Sequence, residues 1–204
     1  MMIRYQAEPA EVLIPSAKAL RYAGQGTQPP APEVERLFSS CMEEFLGCTA
    51  YRAVSLEVEL ARRGNAICLS SLCVKSESLT ARLADCGRAL LFCATVGGGL
   101  DRLLLRYGKT QPSRAVLLDA IGSAAIEAWC DTLTGDWTRE LEARGFALRC
   151  RFSPGYGDFS LFHQNGLLSL LSAAQTTGVS AAASRMLVPQ KSVTAVIGLY
   201  EKQE

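Results

Sequence analysis

The sequence predicts an α+β fold with a mainly antiparallel, twisted sheet and paired helices, on three observations. Residues 54–60, VSLEVEL, alternate strictly, with Val54, Leu56, Val58 and Leu60 facing one way and Glu57 and Glu59 the other. That is the period of a half-buried strand. The turn RRGN then leads into AICLSSLCV, which reads as a hairpin partner. Helical stretches come in neighbouring pairs, as in GGGLDRLLLRYG followed by the long run from Ser113 to about Arg144, rather than singly between parallel strands.

The remaining elements follow in order. A helical pattern from Ala10 to Tyr22 runs into GQGTQPPAP, whose Gly and Pro residues forbid regular structure. Pro32 opens the next helix, with Val34, Leu37, Phe38, Cys41 and Phe45 on one face and Gly47 near its end. SESLTARLADCG is a short helix, and the continuous apolar run RALLFCATV is a buried strand. The helix from Ser113 is expected to break or bend near Thr134–Gly135. FALRCRF reads as a strand emptying into SPGYGD, and FHQNGLLSLLSAAQTTG as one helix stopped by Gly178. Two strands, ASRMLV and SVTAVIGLY, flank Pro189. A single domain over 1–204 is expected, with a helix and Pro/Gly loop over 1–32 leading into a core at 33–204.

Composition works mainly by exclusion. A 49% apolar content argues against disorder, and a formal net charge of +1 against general attraction to nucleic acid or an anionic membrane. No apolar run approaches the roughly 18 residues that span a bilayer. MMIRYQAEPAEV lacks the apolar region of a secretory signal, so a soluble, cytoplasmic protein is expected. The eight cysteines form no C-x-x-C pair and are read as small buried hydrophobes, with no metal site. A lone histidine, His163 in LFHQN, reads as a surface or helix-start residue rather than a base. Ser-His-Asp and Cys-His catalysis lose their footing, and no catalytic residue is assigned.

Three features could carry chemistry. Gly97-Gly98-Gly99 sits where a phosphate loop would sit, but no G-x-G-x-x-G or GK[ST] accompanies it, so a tight strand-to-helix turn explains it better. Asp119, Ser123, Glu127 and Asp131 recur every four residues and draw a polar stripe down an otherwise apolar helix. Such carboxylates need partners, either solvent and structural cations or a cationic ligand. In Arg149-Cys150-Arg151-Phe152-Ser153-Pro154-Gly155-Tyr156-Gly157-Asp158, a strand delivers arginine to a turn followed by an aromatic ring. Guanidinium grips a carboxylate by two parallel hydrogen bonds, and a turn backbone beside a ring suits a flat heterocycle. An ordinary loop with an outward arginine also satisfies this pattern.

R-F-S-P-G-Y-G-D at 151–158 resembles the R-x-x-P-G-Y motif of the activation domain of cobalamin-dependent methionine synthase. L-L-D-A-I-G-S-A-A-I-E-A at 117–128 is similar to the helix carrying a ligand-binding glutamate in that family, and M-L-V-P-Q-K-S-V to its P-x-x-S-V strand pair. A-L-R-Y-A-G and F-C-A-T-V-G-G-G-L-D look like the free-standing short members. The resemblance implies a module that binds S-adenosylmethionine and serves the reductive remethylation of cobalamin held by another protein. It implies that Arg151 holds the methionine carboxylate and Glu127 the α-amino group. Backbone at Ser153 and Gly155 would meet the adenosine, and Tyr156 would lie against ligand or corrin. A sulfonium methyl and reduced cobalt need only alignment, which suits a chain without bases.

The sequence departs from the family in three places. An acidic contact of the long form's N-terminal part has no match. A late aromatic contact falls on Ile197, with Tyr200 three positions off. The D-x-H-x-x-G cobalt-ligating signature is absent, so the implied partner is a separate cobalamin-binding methionine synthase or other corrinoid protein, with a flavodoxin-like or other reductant. The chain would be an accessory component of that methyltransferase system. Two alternatives are a corrinoid-docking module that has lost S-adenosylmethionine binding, and a small-molecule enzyme built on the Asp119–Glu127 stripe.

Overall fold

The computed structural model describes residues 2–26 and 28–202. Its strands are β1 (Met2–Ala7), β2 (Tyr51–Arg63), β3 (Ala66–Leu69), β4 (Leu72–Val74), β5 (Arg88–Thr95), β6 (Phe146–Leu148), β7 (Ser180–Ala181), β8 (Leu187–Val188) and β9 (Ser192–Glu201). Its helices are α1 (Ser16–Tyr22), α2 (Pro32–Leu46), α3 (Glu77–Arg82), α4 (Gly99–Tyr107), α5 (Pro112–Glu142), α6 (Gln164–Leu170) and α7 (Ala173–Thr176). The main sheet runs β4-β3-β2-β5-β9-β6, with β1 beside the first half of β2, and every pairing is antiparallel. The α+β reading and the antiparallel sheet hold.

Both faces of this sheet are buried. On one side Leu90, Phe92 and Ala94 of β5 pack with Phe38, Phe45, Ile121, Trp129 and Trp137 from α2 and α5. On the other, Ala89, Leu91 and Cys93 pack with Leu79, Phe159 and Leu167. A strand covered on both faces must be apolar at every position, which is why RALLFCATV shows no alternation. β2 is covered on both faces only around Ala53, Val54 and Ser55, which are all buried, while Arg52 before them is exposed.

Several expectations need correction. The helix read as Ala10–Tyr22 begins at Ser16, after a 3-10 turn at Pro9–Glu11, because Pro15 favours extended backbone before it. β1 was not foreseen; it is an edge strand whose half-buried Ile3, Tyr5 and Ala7 alternate with exposed Arg4 and Gln6. α5 runs unbroken through Thr134 and Gly135, since Leu133 and Trp137 stay anchored in the core and a Cβ at Gly135 would meet nothing. The expected single helix near the C-terminus splits into α6 and α7 at Ser172, which adopts φ 46°. ASRMLV contributes only the short β8, paired with β7 outside the main sheet.

The cysteines are not all core thiols. Cys68 and Cys73 form a disulfide across the β3–β4 hairpin, and Cys150 is exposed. The registry of β3 and β4 sets those two side by side, a pairing invisible to spacing alone. Cys41, Cys86, Cys93 and Cys130 are buried as expected, and burial pushes the Cys93 and Cys130 thiols up to about 12. Among the described residues no helix is long and apolar enough to cross a membrane.

The glycine run is a tight turn, as its sequence suggested. Gly97 adopts φ 82°, and a Cβ on Gly99 would lie 2.0 Å from the Cys48 carbonyl oxygen. This close approach packs the start of α4 against the α2–β2 connection. Gly99→Ala should therefore cost about 1–3 kcal/mol through overpacking. Gly87→Ala, whose Cβ meets nothing, should stay within about 0.5 kcal/mol of wild type. Chemical denaturation of the two variants measures the difference.

Candidate functional site

Arg151 reaches its position through a bulge. Arg149 bonds opposite Gly198 and Phe152 opposite Val196, so the segment carries one extra residue against β9. The expected strand FALRCRF is thus only Phe146–Leu148 plus an isolated bridge at Phe152. A bulge bends the strand and re-aims its side chains. Here it accompanies the turn of Arg151 toward α5, where its Nη1 donates to Asp131 Oδ1 at 2.9 Å.

The loop that follows is pinned from the other side. Asp158 accepts hydrogen bonds from Ser76 Oγ at 2.6 Å, Glu77 N at 2.5 Å and Ser78 N at 3.0 Å, at the start of α3. These donors hold its carboxyl far below the usual aspartate range, with Ser76 the foremost contributor. Gly155 and Gly157 take φ 97° and 54°, and a Cβ on Gly157 would lie 2.7 Å from Ser78 Oγ. Only glycine meets both conditions in this turn.

The polar stripe of α5 is satisfied by cations from three separate segments. Lys191, between β8 and β9, contacts Asp119 at 2.8 Å and Ser123 at 2.9 Å. Lys18 and Tyr22 of α1 reach Glu127 at 2.5 and 2.9 Å. Arg151 takes Asp131. Structural ion pairing, the plainer of the two sequence readings, accounts for these contacts. They leave edges free, however. Lys18 and Tyr22 both use Oε2 of Glu127, and among the described residues Oε1 has no partner. Arg151 engages Asp131 through Nη1, leaving Nη2 without one. Desolvation alone would raise the Glu127 carboxyl, but the hydrogen bonds from Lys18 and Tyr22 and the charges of Lys18 and Arg151 outweigh it and lower it.

Glu127 and Arg151 line one groove of about 690 Å³. Ser153, Pro154 and Tyr156 form part of its wall, and Gln164, Ser192 and Thr194 another part. Gln164 is buried and donates to Thr194 Oγ1 at 2.6 Å. Four of the five residues singled out from sequence therefore meet here. Gly155 does not line the groove; its N–H donates to Phe159 O at 2.7 Å, so it shapes the turn instead. Tyr156 is 66% exposed at the mouth, its ring 6.4 Å from that of Phe152. Ile197 is fully buried in the core, and Tyr200 sits under Arg149 beside a separate hollow of about 890 Å³ lined by Glu59, Asp85 and Arg88. Neither supplies a late aromatic contact, and that wider hollow contains none of the expected residues.

Lys18 and Tyr22 escaped the sequence reading. Their spacing of four places them on one helical face, but their target is 105 residues from Tyr22 and only folding reveals it. His163 ends the 3-10 turn before α6, its ring 5.8 Å from Phe159, as a helix-start residue would. The groove combines an unpaired carboxylate oxygen, an unpaired guanidinium edge and aromatic surface. Such a set can hold an amino-acid zwitterion joined to a flat ring system.

No protein-family model matches the sequence, and no curated protein matches it significantly. Among solved structures, the crystal structure of the MetH reactivation domain bound to AdoHcy is similar over all of this chain and 80% of that one. The TM-score is 0.72 at 13% sequence identity. The chain thus has the fold of that reactivation domain.

The Asp158 anchor has a pH signature. Its carboxyl is depressed in the folded state, so its contribution is present above the ordinary aspartate value near 3.8 and is lost as pH falls through the folded value. Asp158→Ala should melt below wild type at neutral pH, and the gap should close in strong acid. Thermal denaturation of both proteins across pH checks this.

Proposed function

We propose that the groove binds S-adenosylmethionine, and that the chain thereby supports reductive remethylation of cobalamin on a separate corrinoid-dependent methionine synthase. One observation carries this reading: the free Oε1 of Glu127 and the free Nη2 of Arg151 share a groove, within a fold like that of the AdoHcy-bound reactivation domain. Arg151 would hold the ligand carboxylate and Glu127 its α-amino group. The turn at Ser153–Pro154 and the ring of Tyr156 would flank the adenosine. A sulfonium methyl supplies its own electrophilicity, so the protein's contribution is to fix orientation and exclude water.

The methyl acceptor belongs to a partner in this reading. The sequence has no D-x-H-x-x-G signature, and the module acts as an accessory in a methyltransferase system, with its reductant supplied separately. A cytoplasmic setting belongs to the same proposal.

A second reading has one observation in its favour. Lys18 already sits on Glu127, where an ammonium would discourage a second cation. A module that docks on a corrinoid protein without binding S-adenosylmethionine would carry that pair unchanged.

Calorimetry separates the two. Wild-type protein should bind S-adenosylmethionine and S-adenosylhomocysteine. Arg151→Ala and Glu127→Ala should each weaken binding by about tenfold to a hundredfold, the range expected for one charge-assisted hydrogen bond. A flat titration with wild type, alongside retention of a cobalamin-loaded partner in a pull-down, would select the docking module.

A further inference from the structure

Two more arginines line the groove, and a zwitterion leaves them unused. Arg82 ends α3, and Arg185 lies in the turn between β7 and β8. The guanidinium carbon of Arg82 is 4.6 Å from the Phe152 ring centre, and that of Arg185 is 3.7 Å from Phe162. A guanidinium laid on a ring uses its face and leaves its N–H edge available. Among the described residues neither edge has a hydrogen-bond acceptor or a carboxylate partner. Arg151, the third arginine of the groove, is by contrast ion-paired.

The turn that carries Arg185 is tightly closed. Arg185 adopts φ 67°, in a turn closed by Arg185 N to Ala182 O and Ala182 N to Met186 O, both at 2.8 Å. That conformation is costly for a long side chain and natural for glycine. Arg82, Arg151 and Arg185 line the groove against the single lining carboxylate, Glu127. A zwitterion satisfies Arg151 and Glu127 and leaves two cations facing the same space.

We propose that Arg82 and Arg185 form an oxyanion subsite of the groove that takes a phosphate-class group. The planar fork of guanidinium matches the spacing of phosphate oxygens, and each of these two forks rests on a ring within the one groove. The anion has two sources with the same chemistry. One is a free phosphate ester. The other is the phosphodiester in the nucleotide tail of a corrinoid presented by the partner. The charge argument rests on the zwitterion reading, whereas the ring-borne guanidinium groups of Arg82 and Arg185 in the groove do not.

Titration of the full chain with inorganic phosphate at low ionic strength, followed by NMR shifts, tests it. Wild type should saturate, and Arg82→Gln/Arg185→Gln should bind at least about tenfold more weakly while melting like wild type and still binding S-adenosylhomocysteine. Arg151→Ala should keep phosphate binding, which separates failure here from failure of the zwitterion reading. A matching titration compares cobalamin with cobinamide, which lacks the phosphodiester. A cobalamin preference that disappears in the double variant supports the subsite and assigns the anion to the corrinoid tail. Equal binding of the two, with phosphate binding still lost in the double variant, supports the subsite and assigns it to a free phosphate ester. No saturation in wild type, or phosphate binding unchanged in the double variant, overturns the proposal.

Discussion

The carboxylates of α5 set the terms for the rest of the molecule. A helix of 31 residues that buries Leu118, Ile121, Ala125, Trp129 and Leu133 against a sheet cannot turn its polar stripe fully to water. The acidic groups of that stripe are 38% (Glu127), 47% (Asp119) and 62% (Asp131) exposed, so their cation partners tie other segments to the helix rather than rescue buried charge. Lys191, Lys18 and Arg151 pair with Asp119, Glu127 and Asp131 in turn, each from a different segment. The N-terminal helix, the β8–β9 connection and the bulged loop after β6 are thereby gathered along one line. The groove lies between the bulged loop, α5 and the segments around β8 and β9, and the N-terminal helix reaches it only through its contacts with Glu127.

The same contacts explain how a structural stripe can also be a binding wall. A carboxylate has two oxygens and a guanidinium has more than one edge, so pairing does not exhaust either group. Glu127 offers Oε2 to the protein and keeps Oε1; Arg151 offers Nη1 and keeps Nη2. Structural and ligand-binding readings of the stripe are therefore compatible. The loop opposite is equally constrained, with Asp158 fastened to the start of α3 and two glycines taking positive φ. Ser153, Pro154 and Tyr156 are presented on a turn held at both ends.

Much of this was legible in residue order, and what was not has identifiable physical causes. The buried strand RALLFCATV and the helix from Pro32 declare themselves through burial patterns that depend on local sequence. The stripe and the R-F-S-P-G-Y-G-D turn could be marked as chemistry because their spacing alone puts them on one face or in one turn. β1 is short and half exposed, so its alternation is weak against its surroundings. The continuity of α5 through Gly135 depends on distant core anchors, and the split between α6 and α7 on one left-handed residue, Ser172. The Cys68–Cys73 bridge and the reach of Lys18 to Glu127 are tertiary facts. Ile197 was the positional match for an aromatic contact, and its burial in the core shows the limit of carrying contacts across by count.

We propose that this groove recognises the amino-acid end of its ligand through Glu127 and Arg151. Calorimetric titration with S-adenosylhomocysteine and with 5′-methylthioadenosine, which keeps the adenosine and lacks the amino acid, tests it most directly. S-adenosylhomocysteine should bind at least about tenfold more tightly, since only it can use the free carboxylate oxygen and guanidinium edge. Equal affinity for the two compounds, or no binding of S-adenosylhomocysteine, would contradict it.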